Sequence, residues 1–385
     1  MKPSRELLTF TGNVLVPVSD VDVRGLSEIY DESDIYLSVY VPTASREDEA
    51  INETYLNSRI RAVEKALEGD LLRKFDATLE MAREHIFGSS IPGEKGRVIF
   101  ASEPLGFLHV YRLGVVPERK LVLDTSPFLL PLAKLRDDYE DYAILIMDSQ
   151  QARLYSVRSN ILEMEGSDSI DLMNRHKKGG MSQMRFNRLR RGAISAFISE
   201  LVEDLRRIEG FGSIRGIVIA GPGEAKKQLL EELPPEISKI VLGVVDISID
   251  APLGELLEAG ERITLSNERS EERGNVEALR DAIMRSRPAA YGARQVRDAL
   301  NGGRVNILLI LRDASIPGWI CERCQNIVEK AAPPKICPFC GGPTSGVDVV
   351  EELYELALRT GSEVEFVTDS DFLESIGGIA ALLRY

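Results

Sequence analysis

The stretch IRGIVIAGPGEAKKQLLEELPPEISKIVLGVVDIS (214–248) determines the fold class of this chain. Its two apolar runs, 214–221 and 240–248, are typical of buried strands, and EAKKQLLEEL (224–233) between them is typical of a short helix. Two strands joined through a helix favour parallel pairing, because a parallel crossover needs about a dozen residues or more. The sequence therefore predicts a parallel α/β unit in the middle of the chain.

Strand and helix patterns also occur upstream of this unit. YAILIMD (142–148) and ARLYSV (152–157) are typical of two strands joined by a turn. Nearer the N-terminus, the half-alternating strand DIYLSVYVPT (34–43) precedes a stretch of helical periodicity over 46–87. We expect the N-terminal elements to form an α/β domain over residues 1–136.

The chain after residue 269 alternates helix and strand. Helical patterns in YGARQVRDALNGG (291–303) and VVEELYELALRTG (349–361) end in glycine, which is a frequent helix stop signal. The apolar strands VNILLILRD (305–313) and EVEFVTD (363–369) follow them. This order predicts a C-terminal α/β/α sandwich over residues 269–385.

Two polar segments separate these regions. The charged RDDYEDY (136–142) predicts the end of the first domain, and SNERSEERGN (266–275) predicts the end of a middle domain over residues 137–268. The sequence contains no internal repeat and no low-complexity tract. We therefore expect three domains of mixed α/β class.

Charge and hydropathy restrict the classes of function. The 385 residues carry a formal net charge of −14, which argues against a protein that coats nucleic acid with its whole surface but permits a local basic patch. No apolar run reaches the length of a membrane span, and MKPSRELLTF (1–10) lacks the apolar core of a signal peptide. We expect a cytoplasmic protein that makes no membrane contact.

All four cysteines lie in one short stretch, CERCQNIVEKAAPPKICPFC (321–340). They form two Cys-x2-Cys pairs, which are Cys321, Cys324, Cys337 and Cys340. Each pair can chelate one side of a tetrahedral zinc ion, and four thiolates leave no open coordination position for catalysis. The spacing therefore predicts a structural Zn²⁺ in a ribbon over residues 318–345, rather than a redox dithiol.

The sequence lacks the motifs of conventional enzymes. The glycine-rich IAGPGEAKK (219–227) has neither the Walker spacing nor the GxGxxG pattern, so we expect a strand-to-helix turn there rather than a nucleotide site. The three histidines, His85, His109 and His176, show neither metal-ligand spacing nor an obvious catalytic triad. No acid–base pair of a conventional pocket enzyme is visible.

The segment KKGGMSQMRF (177–186) combines two adjacent glycines with a local excess of positive charge. Seven Lys or Arg residues and no acid occur from Arg175 to Arg191, and an amphipathic helix pattern follows. Cations are disfavoured at a helix N-terminus, and a bound phosphate backbone would offset that conflict. On the residues alone, contact with nucleic acid and a solvated basic helix face are equal alternatives.

The same segment resembles the class I peptide-chain release factors of archaea and eukaryotes. GGMSQMRFNRLR (179–190) is similar to their glycine-glycine-glutamine tip and the Arg-Phe-x-Arg-Leu-Arg helix that follows it. IRGIVIAGPGEAKKQLL resembles part of their middle domain, and ESIGGIAALLRY (374–385) is similar to their C-terminal ending. The resemblance covers about residues 140–385 and implies a three-domain release-factor-like architecture with a zinc ribbon inserted in the C-terminal domain.

Two departures from the family pattern direct the functional interpretation. Met181 occupies the position of the catalytic glutamine, and Gln183 follows two residues later. The N-terminal region also lacks the family's Asn-Ile-Lys-Ser decoding motif, since its nearest string is YLNSRIR (55–61). The layout most resembles the release-factor-like peptidyl-tRNA hydrolases of ribosome quality control.

This resemblance implies ribosome-dependent hydrolysis of the peptidyl-tRNA ester, which releases nascent chains from stalled ribosomes or large subunits. The implied catalytic tip consists of Gly179, Gly180, Met181, Ser182 and Gln183. The residues implied to bind RNA are Lys177, Lys178, Arg185, Arg188 and Arg190. Implied partners are the large ribosomal subunit, peptidyl-tRNA, rRNA and either a translational GTPase or a ribosome-splitting ATPase. The alternatives are a stop-codon-dependent termination factor and a non-catalytic, Pelota-like factor that binds the ribosome or RNA.

Overall fold

The computed structural model forms two compact units. The residues that the structure describes are 9–29, 35–148, 151–169, 214–223, 225–321, 323–324, 326–329 and 332–385. Unit 1 combines residues 1–138 with 270–385, and unit 2 comprises 139–269. The first and third predicted domains therefore lie almost entirely in one unit, and the three-domain division itself stays a prediction.

The N-terminal part of unit 1 contains a five-stranded sheet. Its strands are β1 (Thr9–Leu15), β2 (Tyr36–Pro42), β3 (Gly96–Ser102), β4 (Phe107–Leu113) and β5 (Lys120–Asp124). They lie in the order β1-β4-β3-β2-β5, with β1 parallel to β4 and the other pairings antiparallel. The helices described here are α1 (Val23–Ser27), α2 (Arg46–Ala66), α3 (Gly69–Phe87) and α4 (Leu130–Asp138), with a 3-10 turn at Val18–Asp20.

Helices α2 and α3 pack against this sheet. They account for the helical periodicity over 46–87, and the structure divides that stretch at Leu67, whose backbone is extended. Helix α2 begins after Ser45, whose hydroxyl accepts the N–H of Asp48 at 3.1 Å. The apolar faces of both helices are buried against β2, β3 and β4. This packing fixes the start of α2 beside the end of α3.

Unit 2 contains the parallel α/β unit that the sequence predicts. Its strands are β6 (Tyr142–Met147), β7 (Gln151–Arg158), β8 (Ile161–Ser169), β9 (Ile217–Ala220) and β10 (Val241–Val245). They lie in the order β10-β9-β6-β7-β8, and β9 is parallel to both β6 and β10. Helices α5 (Ala225–Glu232) and α6 (Pro235–Ser238) connect β9 to β10. The parallel pairing expected from residues 214–248 is confirmed.

The central strands of unit 2 are buried on both faces. Leu145 and Ile219 pack in a cluster with Leu229 of α5 on one face. Ile144 and Val218, whose side chains alternate with these along the strands, belong to a second cluster. Burial on both faces explains why these strands are continuous apolar runs rather than alternating apolar and polar residues.

A 32-residue helix, α7 (Leu253–Met284), contains the second predicted boundary. The polar run SNERSEERGN (266–275) predicts the end of the middle domain, and the division between unit 2 and unit 1 falls within it, after residue 269. This division lies inside a continuous helix rather than in a loop. Acidic and basic residues three or four positions apart can support a solvated helix face, so a polar run does not have to end a helix. Neither α7 nor any other described helix is both long and apolar enough to cross a membrane.

The C-terminal part of unit 1 alternates strands and helices as predicted. The strands are β11 (Ala289–Tyr291), β12 (Val305–Leu311), β13 (Pro317–Cys321), β14 (Ile327–Val328), β15 (Thr344–Asp348), β16 (Glu363–Val367) and β17 (Ile379–Leu383). The helices are α8 (Gly292–Asn301), α9 (Val349–Thr360) and α10 (Asp371–Ser375). One sheet has the order β11-β17-β12-β16, and a smaller sheet has the order β14-β13-β15. The mixed α/β class, with the cysteine segment inserted after a strand, is confirmed.

Candidate metal centre

The four cysteines are the predicted site residues that the structure describes. Cys321 ends β13, Cys324 lies in the turn that follows, and Cys337 and Cys340 lie in the loop before β15. The predicted catalytic tip and RNA-binding residues, all within 177–190, lie outside the described residues, as does the helix pattern that follows them. Their roles stay predictions from the sequence.

The four sulfur atoms converge although they come from two separate loops. Cys321 Sγ lies 3.4 Å from Cys340 Sγ, and Cys324 Sγ lies 3.8 Å from Cys337 Sγ. All four sulfurs lie within 4.8 Å of one another. A metal ion bound to four sulfurs at about 2.3 Å has sulfur–sulfur separations of about 3.8 Å. The cluster therefore has the size of a tetrahedral metal centre, whereas a disulfide bond would be only about 2 Å long.

Backbone N–H groups surround the sulfurs. Those of Cys324 and Phe339 donate to Cys321 Sγ at 3.5 Å and to Cys337 Sγ at 3.4 Å. Burial raises the pKa of Cys321, but N–H donors of Cys324 and Arg323 outweigh burial and bring this pKa to about 6. Burial and the hydrogen bond to Cys321 raise the pKa of Cys324 to about 12. Cysteines bind a metal as thiolates, so metal binding at this cluster would release protons.

The glycine pair after Cys340 is required by the turn that returns the chain to β15. Gly341 has a φ of +74°, which glycine adopts without the strain that a side chain brings. A Cβ on Gly342 would lie 2.8 Å from the Cβ of Arg323 and 3.4 Å from Cys321 Sγ. Both positions therefore need glycine to let the second cysteine pair approach the first.

The ribbon is fixed to the helices beside it. Asp348 Oδ1 accepts the N–H groups of Ile316 and Val350, both at 3.0 Å, so it ties the start of β13 to the start of α9. From α8, the guanidinium of Arg297 donates to the carbonyl of Ile327 in β14. These contacts attach the ribbon to α8 and α9, and a set of four cysteine sulfurs favours a structural metal centre over a catalytic one.

The sheet of unit 2 fixes both ends of the segment that contains the predicted tip. The chain leaves β8 after Ser169 and returns at β9, and the two strands β7 and β6 lie between β8 and β9 in the sheet. Just before β9, the N–H of Arg215 donates to the carbonyl of Asp141 at 2.7 Å, and the Arg215 guanidinium pairs with Glu140. Asp141 also pairs with Arg158 at 3.1 Å. These contacts fix the end of the segment before β9, and the pairing of Ser169 with Gln151 of β7 fixes the other end.

The structure also contains a groove between α2 and α3 that the sequence does not reveal. Arg46 and Arg83 line it from helices that are adjacent in space. No local motif links the two residues, because nearly forty positions separate them along the chain. The only signal in the sequence is that both arginines lie on exposed faces of predicted helices.

Two family models together match most of the chain. The model for bacterial archaeo-eukaryotic release factor family 10 matches residues 127–264. The model for eRF1 domain 3 matches residues 270–385. The first match contains the predicted tip, and the second contains the cysteine ribbon.

Curated relatives have the same affiliation. Peptide chain release factor subunit 1 of Archaeoglobus fulgidus is 29% identical over 291 residues, which cover 70% of this chain and 72% of the relative. Peptide chain release factor subunit 1 of Pyrococcus abyssi is 26% identical over an alignment of 408 residues, which covers 94% of this chain and 96% of the relative. A model of ribosome-bound archaeal Pelota and ABCE1 covers 97% of this chain and 95% of that chain, at 17% identity and a TM-score of 0.42. The family models and the two release factors agree, and the chain belongs to the archaeo-eukaryotic release factor superfamily.

Proposed function

We propose that this protein hydrolyses the ester bond of peptidyl-tRNA on the ribosome and so releases nascent chains from stalled ribosomes or large subunits. The observation that carries the proposal is the string GGMSQMRFNRLR (179–190) in a chain of the release factor superfamily. The string places a glycine pair, Ser182 and a basic helix pattern in the register of the family's catalytic tip, and Gln183 lies two residues after the position of the family's glutamine.

The composition of the tip would allow its backbone to enter a narrow pocket formed by RNA. Gly179 and Gly180 have no side chains, so their backbone can approach RNA closely and adopt positive φ values. The amide of Gln183 can both accept and donate a hydrogen bond, and it carries no charge whose desolvation would be costly. Gln183 therefore takes the role of orienting the attacking water, while Met181 offers only its backbone N–H.

The reaction itself is ester hydrolysis. The oxygen of water bonds to the ester carbonyl carbon, the bond from that carbon to the tRNA ribose oxygen breaks, and the ribose oxygen leaves with a proton. Such a step needs a positioned water and stabilisation of the negative charge that develops on the carbonyl oxygen. The ribosomal RNA and the tRNA supply most of these surroundings, so the protein adds only a small neutral probe.

Basic side chains around the tip hold the RNA that the tip approaches. These residues are Lys177, Lys178, Arg185, Arg188 and Arg190. Phosphate contacts of this kind fix position without reading sequence, and they weaken as the salt concentration rises. This role is compatible with the net charge of −14, because the positive charge is local.

The cysteine cluster binds zinc in this proposal. Four thiolates in a tetrahedron of this size are the ligand set that Zn²⁺ favours, and no position is left open for a substrate. The ion would hold the turn after β13 against the loop before β15. In this proposal the tip of unit 2 performs the hydrolysis, and the metal stabilises the ribbon of unit 1 without taking part in the reaction.

The partners follow from the same reasoning. The large ribosomal subunit, peptidyl-tRNA and rRNA would contact unit 2 through the tip. The C-terminal part of unit 1 would contact either a translational GTPase or a ribosome-splitting ATPase, as the resemblance to release factors implies. The protein acts in the cytoplasm in this account, because ribosomes do.

Stop-codon-dependent termination is the second candidate function. It is favoured by the names of the curated relatives, which are peptide chain release factors. It is opposed by Met181 at the position of the catalytic glutamine and by the missing decoding motif in the N-terminal region. A non-catalytic, Pelota-like role is opposed by the Ser182-Gln183 dipeptide.

Peptide release by tip variants tests the catalytic assignment. Purified protein is added to large subunits that carry labelled peptidyl-tRNA, and free peptide is measured. We expect release by the wild type, a loss of about hundredfold or more for Gln183→Ala, and only a partial loss for Met181→Ala. Arg185→Gln should weaken subunit binding, whereas Arg59→Gln on α2 is the matched surface control.

Two outcomes would overturn the assignment. Full release by Gln183→Ala together with none by Met181→Ala would move the catalytic role to the side chain of Met181. Absence of release by the wild type, with tight binding to the subunit retained, would favour the non-catalytic alternative.

A further inference from the structure

A groove with a volume of 710 Å³ lies between α2, the C-terminal end of α3 and the loop after α3. This volume is within the range of about 300–1,000 Å³ that is usual for small-molecule sites. Three arginines, two glutamates and an aromatic ring line it: Arg46, Arg83, Arg97, Glu49, Glu53 and Phe87. None of these residues belongs to the cysteine cluster or to the predicted tip, so the groove is a separate site.

The α2 wall of the groove carries charges on one helix face. Arg46, Glu49 and Glu53 follow one another at spacings of three and four residues, which places them one above the other. Within the described ranges, the guanidinium of Arg46 joins no ion pair. A cation in the first turn of a helix is disfavoured by the helix dipole, so Arg46 does not stabilise α2. Its charge is available to an anion in the groove.

The α3 wall presents a planar cation next to an aromatic ring. The guanidinium carbon of Arg83 lies 5.8 Å from the centroid of the Phe87 ring, one helical turn away. Phe87 is 40% exposed, and Arg83 forms no ion pair with the residues that the structure describes. Both groups offer a flat face on which an aromatic ligand can stack.

The floor of the groove is positively charged. Arg97 lines the groove from a buried position and donates to Glu94 at 2.7 Å and to backbone carbonyls after α3. Glu94 also pairs with Arg112 at 2.6 Å, so this buried cluster contains two guanidinium groups and one carboxylate. Burial, followed by the charges of Arg112 and Arg97, lowers the pKa of His85 nearby. A positive potential in such a poorly solvated place attracts anions.

Polar side chains complete the lining of the groove. Thr43 lies in the lining, although its Oγ1 is buried beneath the surface. Ser89 and Ser90 contribute further polar groups to the lining. The groove therefore combines cations, a stacking surface and hydrogen-bonding groups.

We propose that this groove binds a nucleotide, with the phosphate held by Arg46 and the positive floor and the base stacked on Phe87. Cations outnumber carboxylates in the lining, so the field of the groove favours a phosphate. Glu49 and Glu53 can accept hydrogen bonds but cannot donate them, and an exocyclic amino group on the base satisfies such acceptors. The groove therefore prefers adenine, cytosine and guanine nucleotides over uracil nucleotides.

Calorimetric titration of the full-length protein with AMP, UMP and ribose 5-phosphate tests the site. We expect AMP to bind at a single site, with UMP and ribose 5-phosphate about tenfold weaker, because one lacks the amino group and the other lacks the base. Arg46→Gln and Phe87→Ala should each weaken AMP binding about tenfold. Arg61→Gln on α2 and Leu71→Ala on α3 are exposed residues outside the groove, and these control variants should bind AMP as the wild type does.

Short labelled RNA strands distinguish the two sources of such a nucleotide. Fluorescence anisotropy compares oligo(A) with oligo(U), and oligo(U) reports the background from the predicted RNA-binding residues in 177–190. If AMP binds and oligo(A) does not bind more tightly than oligo(U), the ligand of the groove is a free mononucleotide. Binding of oligo(A) but not AMP, with the same losses in Arg46→Gln and Phe87→Ala, identifies a single-stranded RNA. The proposal is overturned if neither probe binds, or if groove and control variants bind equally well while showing the same thermal unfolding as the wild type.

Discussion

Two buried carboxylates in unit 1 have opposite surroundings. The side chain of Glu94 has no exposed surface and accepts hydrogen bonds from Arg97 at 2.7 Å and from Arg112 at 2.6 Å. Glu351 of α9 is also buried, but over the described part of the chain it forms no ion pair. It accepts two backbone N–H groups at the start of α4 instead, at 2.6 and 3.0 Å. One acid faces guanidinium groups, and the other caps a helix.

The pKa values of these carboxyls move in opposite directions. Burial raises the pKa of Glu94, but hydrogen bonds from two arginines and a backbone N–H outweigh burial and hold this pKa below its usual value. Burial, and then the charge of Glu355, raise the pKa of Glu351 well above its usual value. Burial raises the pKa of Glu355 itself, one turn along α9, to about 7. Two guanidinium groups therefore lower the pKa of Glu94, whereas burial raises the pKa values of Glu351 and Glu355, although Glu355 pairs with Arg359 at 3.3 Å.

The cysteine cluster extends this comparison, because a metal ion would there replace both protons and guanidinium groups. Structural zinc contributes about 10 kcal/mol or more to the folding of small zinc domains, so its removal should have the largest effect. We expect one zinc per chain in the wild type and none in Cys337→Ser, with loss of hydrogen-exchange protection in β13 to β15. Ile336→Ser, an exposed residue of the same loop, is the control. A ribbon that stays protected after chelation would contradict this account.

The second largest effect is expected at Glu94. Glu94→Gln keeps the shape of the side chain but leaves two buried guanidinium groups without a carboxylate, which costs about 3–5 kcal/mol of unfolding free energy. Chemical denaturation at neutral pH measures this loss. Glu80→Gln, on an exposed position of α3, should change the unfolding free energy by less than about 0.5 kcal/mol. A similar small change for Glu94→Gln would mean that the two arginines do not depend on this carboxylate.

The raised pKa of Glu355 predicts a pH dependence of stability that is opposite to ordinary acid denaturation. Since the pKa of Glu355 in the folded protein is raised from 4.5 to about 7, the folded protein binds more protons than the unfolded chain between these values. The unfolding free energy therefore falls as the pH rises through this window, by on the order of 3 kcal/mol. Denaturation of wild type and Glu355→Gln from about pH 5 to pH 8 measures the difference, in which the contribution of His85 cancels. Glu374→Gln, an exposed control, should keep the wild-type slope.

The smallest effect is expected for Glu351→Gln. If a proton neutralises Glu351 in the folded state, an amide of the same shape should replace it at a cost of about 1 kcal/mol or less. Glu351→Ala should cost more, because the N–H groups of Leu129 and Leu130 then lose their acceptor. Denaturation at pH 7 compares both variants with Glu94→Gln. Equal losses for Glu94→Gln and Glu351→Gln would remove the distinction between the two sites.

Local patterns were sufficient for the parts of the fold that depend on neighbouring residues. Strand and helix periodicity over 214–248 predicted the parallel unit, and the cysteine spacing predicted that four sulfurs could converge. The polar run 266–275 did not reveal that the chain there is one continuous helix, because it contains no large apolar side chain. The division between the two units falls in this run, so its composition indicated the division but not the helix.

The electrostatic clusters and the groove could not be predicted from the sequence. Arg46 and Arg83 meet through tertiary packing, and nothing in the local sequence of Glu94 indicates that Arg112 will pair with it. Glu351 caps a helix more than two hundred residues earlier in the chain. Such contacts depend on which helices and strands become neighbours in the folded protein. No local pattern in a single sequence indicates these neighbours. The tip is the reverse case, since its residues carry a family signature that only the sequence supplies.

The central claim is codon-independent hydrolysis of peptidyl-tRNA, and one measurement tests it most directly. Ribosomes carrying labelled peptidyl-tRNA are prepared with an empty A site, a sense codon or a stop codon, and the rate of peptide release by the wild-type protein is compared among them. The account predicts that a stop codon gives no advantage over an empty A site or a sense codon, and that Gln183→Ala is inactive in all three. Release confined to the stop codon would contradict it and make the protein a termination factor.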